Sequence, residues 1–533
     1  MTCGVKTAEI KEMNKIDGKT IKVPEEVRAI MDAYIVSVEV SGKRVLDAGA
    51  VADIPADNVE ISIEFTSEAV PESADAASGV VFSGGNLVQR QGSNNKVIVL
   101  TPESKLAAAS KYQVRISSGP AFGLNLLNNV YFTFTTAYDQ SYKFPEIPDE
   151  DLLTMIQETT FKYFWDYSPL GSGLAQERYG SDYTIATGGS GFGIMCIPAA
   201  VERGFITRFE GLVRMRTILT FLTEKAERFH GAYPHWMDEI SGKAIPFSAN
   251  DNGGDLVETS FLIMGLLTAA QYFDRPEEEF IRKGVDKIWR EVEWDWYTRG
   301  EDVLYWHWSP DKEWAMNMKI QGWNEGLIAY VLAASSPTHP VSPDVYHKGW
   351  ASNGTMKPSV NGPMFFAHYS FMGLDPRGLK DKYADYWEQN VAHARYNYNY
   401  CVSNPKQFAG YSADCWGLTA SDIPNGYTAS SPVNDRGTIA PTAAVASYPY
   451  LPEESLRAMR YFYYVLGDRL WGRWGFYDAF CLEKGWFASS YLAIDQGPII
   501  GMIENGRTGL LWRLFMSRPE INEGLLKLGF TRE

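Results

Sequence analysis

Every tryptophan in this chain of 533 residues, 16 in all, falls between Trp165 and Trp512, and all seven histidines fall between His230 and His393. The first 140 residues hold neither. Large aromatic side chains bury more surface than any others and dominate the cores they enter. A chain split this way does not build one uniform core. The split predicts a small front unit made without tryptophan and a large rear unit that concentrates it. The length points the same way, because a single core stops growing well short of it.

Residues 1–30 are charged and lack periodicity, which suits a flexible tether. Over 31–138 the pattern is β: "YIVSVEV" (34–40), "VEISIEF" (59–65), "KVIVLTP" (96–102), "YQVRISS" (112–118) and "VYFTFTT" (130–136), punctuated by "SGGN" (83–86) and "GSNN" (92–95). Short alternating runs between turn residues predict a small all-β sandwich. The segment resembles the bacterial Ig-like modules that precede extracellular domains, and its lack of Trp and His favours a spacer over a glycan-binding role. Residues 139–150, with two prolines, read as a linker. From 151 to 533 helical periodicity takes over, with helices expected at 150–167, 191–203, 207–229, 255–273, 276–292, 322–335, 364–373, 380–401, 438–447, 453–467 and 496–517, the last breaking near Gly506. So many helices joined by long Gly- and aromatic-rich loops predict a mainly α toroid of paired helices, with its site at the loop-bearing mouth.

The 65 acidic and 49 basic residues leave a net charge of −16. Nucleic acid and anionic membrane surfaces are thereby disfavoured as partners, since both need clustered Lys and Arg. The five cysteines show no C-x-x-C spacing, so structural zinc is not expected and buried thiols are. No run of 18 apolar residues appears. "MTCGVK" is how a mature bacterial lipoprotein begins, so a lipid on Cys3 is one expectation for membrane attachment, with an accidental cysteine as the other. A periplasmic or cell-surface location, secreted or anchored, accompanies it.

Sugar rings have apolar C–H faces and hydroxyl rims, and aromatic rings and carboxylates match those two surfaces. The rear unit supplies both. Glycoside hydrolysis needs two carboxyl groups about the bond, one donating a proton and the other activating water or attacking carbon. Asp251, Asp255 and Glu258 lie in "SANDNGGDLVE" (248–258), where D-x-x-E also reads as a helix capping box. Glu325 lies in "QGWNEG" (321–326), expected to open a helix, with Trp323 beside it as a stacking surface. Asp495 and Gln496 lie in "AIDQGP" (493–498), with Tyr491 just upstream. His235 and Trp236 in "YPHWMD", and His307 and Trp308 in "LYWHWSP", read as cleft lining. No ligand spacing supports a metal, and no Gly-rich loop reads as a phosphate cradle; no cofactor is expected.

The motifs "ATGGSGFGIMCI", "ANDNGGDLVETSFLIMGLL", "QGWNEGLIAYVLAASSPTHP", "FFAHYSFMGLDPRG", "CWGLTASD", "GTIAPTAA" and "IDQGPIIGMIEN" run in order over most of 148–530 and together resemble the glycoamylase-like family, especially the bacterial β-1,2-glucan hydrolases of glycoside hydrolase family 144. The resemblance implies an (α/α)6 toroid that hydrolyses a neutral glucan with inversion, with Asp251, Asp255, Glu258 and Glu325 around the scissile bond. Glu325 is expected to be the general acid and one of the other three the base, with Trp236, His307, Trp308, Trp323, Tyr491, Asp495 and Gln496 binding substrate. An α-glucan hydrolase, a polysaccharide lyase and a non-catalytic glycan-binding protein are the alternatives. A pocket rich in Arg would favour the lyase.

Overall fold

The computed structural model of the protein describes residues 30–46, 48–71, 79–352 and 354–532. Cys3 and the expected tether up to residue 29 lie outside the described residues. The chain forms two compact units. Met1–Val51, Asp57–Leu106 and Tyr112–Phe134 make the first; Ala52–Ala56, Ala107–Lys111 and Thr135–Glu533 make the second.

The first unit is β-structured. Alternation along Ile61–Phe65 sends Ile61, Ile63 and Phe65 inward, and Val38 and Val40 do the same from Ile35–Val40. These strands sit inside a five-stranded sheet in the order Lys43–Arg44, Ile35–Val40, Ile61–Phe65, Val97–Pro102, Leu87–Gln91. A period of two with one face buried is what fixes such a register.

The second unit is helical: α1 (Asp149–Trp165), α2 (Thr187–Glu202), α3 (Arg208–Glu224), α4 (Leu256–Tyr272), α5 (Glu279–Arg290), α6 (Leu327–Ser335), α7 (Tyr386–Ser403), α8 (Pro441–Val445), α9 (Pro452–Arg460), α10 (Gly467–Leu470), α11 (Ala493–Thr508), α12 (Leu510–Met516) and α13 (Pro519–Lys527). Two kinds alternate along the chain. Helices α2, α4, α6, α8 and α11 are buried on nearly every face, whereas α3, α5, α7 and α9 bury one stripe only. A helix apolar all round belongs inside, and an amphipathic one belongs outside it.

Several boundaries differ from the sequence reading. The helix expected from 322 begins only at Leu327, because Asn324 accepts from the Gly326 amide and holds a turn there. The stretch at 364–373 is two 3₁₀ turns, Met364–Ala367 and Ser370–Met372. The terminal break comes at Gly509, whose φ of 68° lies in the left-handed region, rather than near Gly506.

Helices α2 and α4 pack with their backbones nearly touching. A Cβ on Gly191 would strike the Phe261 carbonyl, and one on Gly265 would strike the Gly191 carbonyl. Gly265→Ala therefore forces the two helices apart, and an overpacked core of this kind costs about 1–3 kcal/mol. Urea unfolding of the variant against the parent measures it.

Candidate active site

The N-terminus of α4 organises the site. Asp255 is its N-cap, and Oδ1 accepts from the amides of Val257 (3.0 Å) and Glu258 (2.9 Å). Its other oxygen lies 2.9 Å from His235 Nδ1 and accepts from Trp306 Nε1 at 3.1 Å. Both oxygens of Asp255 are thus engaged. The capping box is incomplete, however, because Glu258 does not turn back to the cap. Its Oε2 accepts from the Gly188 amide at 2.7 Å, in the first turn of α2, where the helix dipole favours an anion. A side chain at 188 would collide with this carboxylate, which is why glycine stands there.

The loop leading to Asp255 is pinned by His307. Its Nε2 accepts from the amides of Asn252 (3.1 Å) and Gly253 (2.9 Å), and Gly254–Asp255 pairs antiparallel with His307–Trp308. His307 is 2% exposed, so it shapes the loop from inside instead of lining the cleft. Asp251, 3% exposed, stands with Oδ1 3.7 Å from this already-accepting nitrogen and without a hydrogen bond. Burial raises its carboxyl well above the usual range, and the charges of Asp255 and Glu258 raise it further. Burial raises Glu258 as well. His235, stacked on Phe247 at 4.1 Å, answers these anions. Burial works against its charged form, yet Glu258, Asp255 and Asp251 outweigh it and push the imidazole up to about 9. His235, Asp251 and Asp255 present atoms within 4.8 Å of one another, a spacing a cation could use. The imidazolium already occupies that electrostatic role, since Nδ1 faces Asp255 Oδ2.

Glu325 lies in the turn before α6, with its carbonyl held by the Ser370 hydroxyl. Burial pushes its carboxyl up to about 7, its own backbone amide opposes this, and Glu258 and Asp255 add to the rise. Trp323 turns the other way. It is 8% exposed, its Nε1 donates to His393 Nδ1 at 3.3 Å, and it stacks near Phe371 and Tyr386. Tyr491, 2% exposed, is likewise enclosed, among Tyr163, Tyr179 and Tyr477. Neither presents a free face as a stacking surface, whereas Trp236 and Trp308 are half-buried at the edge of the same loop system.

A second carboxyl group of residues comes from elements distant in sequence, and most of it escaped the sequence reading. Asp495, in the first turn of α11, is 2% exposed, and neither carboxyl oxygen has a formed hydrogen bond. The Asp478 carboxyl and the Tyr369 hydroxyl stand beside it. Asp478 Oδ2 accepts from the Asp422 amide at 2.7 Å. Burial raises both Asp478 and Asp495; the charge of Asp422 adds to the rise at Asp478, where Asp495 works the other way, and Asp478 adds to the rise at Asp495, so one proton shared through Asp495 suits the pair. Asp422 is fixed by Arg178 Nη1 at 3.1 Å and by the Ser490 hydroxyl, while Arg178 Nε binds Glu177. Gln496 donates to the Phe476 carbonyl at 3.0 Å and so braces α11. Tyr369 joins the two sets. Burial raises its phenol far above the usual range, and Asp495, Tyr427, Glu325 and Glu258 each raise it further. Carboxyl groups of both sets therefore act on one tyrosine.

Residues 317–519 match a family described as "Putative glucoamylase", and residues 25–136 match a bacterial Ig-like domain. An exo β-1,2-glucooligosaccharide sophorohydrolase (non-reducing end) of Parabacteroides distasonis is 45% identical to this chain over 445 residues, covering 76% of this chain. The chain spans 61% of the length of that curated relative. The structure of an endo-β-1,2-glucanase from Chitinophaga pinensis, with sophorotriose and glucose, is 48% identical with a TM-score of 0.71, covering 72% of this chain and 99% of that one. A β-1,2-glucanase from Parabacteroides distasonis is 38% identical with a TM-score of 0.70, covering 94% of this chain and 73% of that one.

Proposed function

The chain belongs to the glucoamylase-like family, and on that premise we propose that it is an inverting glycoside hydrolase of β-1,2-linked glucan or its oligosaccharides, built on an (α/α)6 toroid. The alternation of fully buried and one-sided helices along the second unit supports the toroid. The observation that carries the chemistry is Glu325, half-buried in the turn before α6, whose carboxyl is pushed up to about 7 and so holds a proton near neutral pH.

In this reading Glu325 gives its proton to the glycosidic oxygen as the bond from that oxygen to the anomeric carbon breaks. A water attacks the opposite face of that carbon and loses its proton to a carboxylate, which must stand across from the acid with room for the water between. Asp255 does not fit, since its oxygens are spent on the cap, His235 and Trp306. Glu258 is held at the α2 N-terminus and is the first charge to act on Glu325, so it tunes the acid. The pair Asp478–Asp495 is the better base, with Asp495 as the member whose oxygens are not taken up by the Asp422 amide. Asp251 and the half-buried Trp236 and Trp308 bind sugar. The lyase alternative loses ground because Arg178 is already paired with Glu177 and Asp422.

The test is hydrolysis of β-1,2-, β-1,3- and α-1,4-glucans with products resolved by size and the first anomer followed by NMR. Cleavage of the β-1,2 polymer or its oligosaccharides with an α-anomer first is expected; an α-1,4 preference or a β-anomer first would sink the proposal. The pH dependence has a definite sign. Glu325 works protonated, so kcat/KM falls as pH rises through about 7, and Glu325→Gln removes that limb from the profile. Location at the periplasm or cell surface through a lipid on Cys3 is part of the same proposal, and loss of labelled palmitate incorporation in Cys3→Ala checks it.

A further inference from the structure

Strands Ala420–Ile423 and Gly426–Ala429 form a hairpin closed by Pro424 and Asn425. Proline at the second position of the turn and glycine at the fourth are what a tight turn favours, and Gly426, at φ 145°, adopts a conformation few other residues reach. The hairpin is held at both strands. Asp422 ties the first to Arg178, Ser490 and Asp478, and Asn434 Nδ2 ties the second through the Ala429 carbonyl at 3.0 Å.

The register pairs Asp422 directly with Tyr427. Side chains directly opposite in an antiparallel pair lie on the same face. The face that carries Asp422 towards Arg178 and Ser490 therefore also carries Tyr427. The tyrosine itself is divided. As a residue it is 51% exposed, yet burial raises its phenol far above the usual range, followed by the charges of Asp495, Asp478 and Asp422. The ring is half open to solvent, and its place opposite Asp422 sets it on the face from which Asp422 reaches Arg178 and Ser490, next to Asp478, whose carboxyl takes the Asp422 amide. The hydroxyl makes no hydrogen bond among the described residues. Nothing in the fold uses this side chain: it adds little to the core and donates to nothing, although the strands beneath it are anchored on both sides.

We propose that Tyr427 is a sugar-binding residue, its open ring carrying one glucosyl unit of the glucan and its hydroxyl hydrogen-bonding that unit beside Asp422 and Asp478. A glucose ring offers an apolar C–H face to an aromatic ring and hydroxyls to a phenol, and a phenol that stays neutral can both donate and accept. The rigid hairpin makes the contact cheap to form, because little order is lost on binding. This inference rests on the reading of the site as that of a glucan hydrolase.

The test is equilibrium binding of a β-1,2-linked glucopentaose, by calorimetry, to the full chain carrying Glu325→Gln, with and without changes at 427. Tyr427→Ala is expected to weaken Kd by about tenfold, and Tyr427→Phe by about threefold, the share of one neutral hydrogen bond. Thr428→Val, at the next position of the strand and on its other face, should leave Kd as it was. The melting temperature should not move in the Tyr427 variants, since that residue packs little, whereas Thr428→Val gives up an acceptor of the Asn434 amide at 3.3 Å and should lower it slightly. Unchanged affinity in Tyr427→Ala overturns the proposal while the glucan reading stands. Failure of the Glu325→Gln protein to bind the pentaose, together with no hydrolysis by the wild type, overturns both.

Discussion

Glu325→Gln should lower hydrolysis of β-1,2-glucan by about 10²–10⁴ while leaving the fold intact, the range that loss of a positioned proton donor commands. The substitution keeps the shape of the side chain, and the structural anchors of this turn are elsewhere: Ser370 holds the backbone carbonyl, and Asn324 holds the Gly326 amide. Replacing a half-buried carboxyl held well above its usual range with a neutral amide also removes an electrostatic cost above pH 7, so melting temperature should hold or rise there. A substrate with an activated leaving group needs less protonation and should lose less. Near-normal turnover of the polymer by a folded variant would remove Glu325 from the acid role.

What the sequence made legible was what neighbours in sequence decide. Alternation over 59–65 and helical periodicity over 150–167 are local, and the structure has strand and helix there. The D-x-x-E pattern at Asp255 announced a helix start and gave one, because a cap depends on the next three residues alone. The fate of Glu258 was not legible, since its partner is the amide of Gly188, brought in by the packing of α2 on α4. Trp323 shows the same limit from the other side. Standing two residues from Glu325 it invited a stacking role, but a turn sends adjacent side chains in different directions, and this one reaches His393 instead. Tyr369 and Asp422 were in view within "FFAHYSFMG" and "CWGLTASD", and Asp478 stood in "FYDAF". Nothing local marks any of them, because their chemistry begins only when α11 and the 420–429 hairpin bring carboxyl to carboxyl.

Asp495→Asn should depress turnover of the natural glucan and of an activated substrate alike, by about 10²–10⁴, because water must be deprotonated whichever group leaves. That pattern separates it from Glu325→Gln, which spares the activated substrate. The variant also ends the sharing of a proton with Asp478, whose carboxyl then loses the contact with Asp495 that helps to hold it down against burial and the charge of Asp422. The acid limb of the pH profile should therefore shift or vanish as well as the rate falling. The fold should survive the change, for the backbone carbonyl at 495 keeps the Thr442 hydroxyl at 2.8 Å. Glu258→Gln and Asp251→Asn make the contrast. If Glu258 tunes the acid, its amide should lower the basic limb from about pH 7 while leaving a measurable rate. If Asp251 holds sugar, its amide should raise KM more than it lowers kcat. An Asp495→Asn protein that hydrolyses both substrates at close to the parent rate, beside an Asp251→Asn or Glu258→Gln protein that hydrolyses neither, would return the base to the loop before α4 or to its first turn.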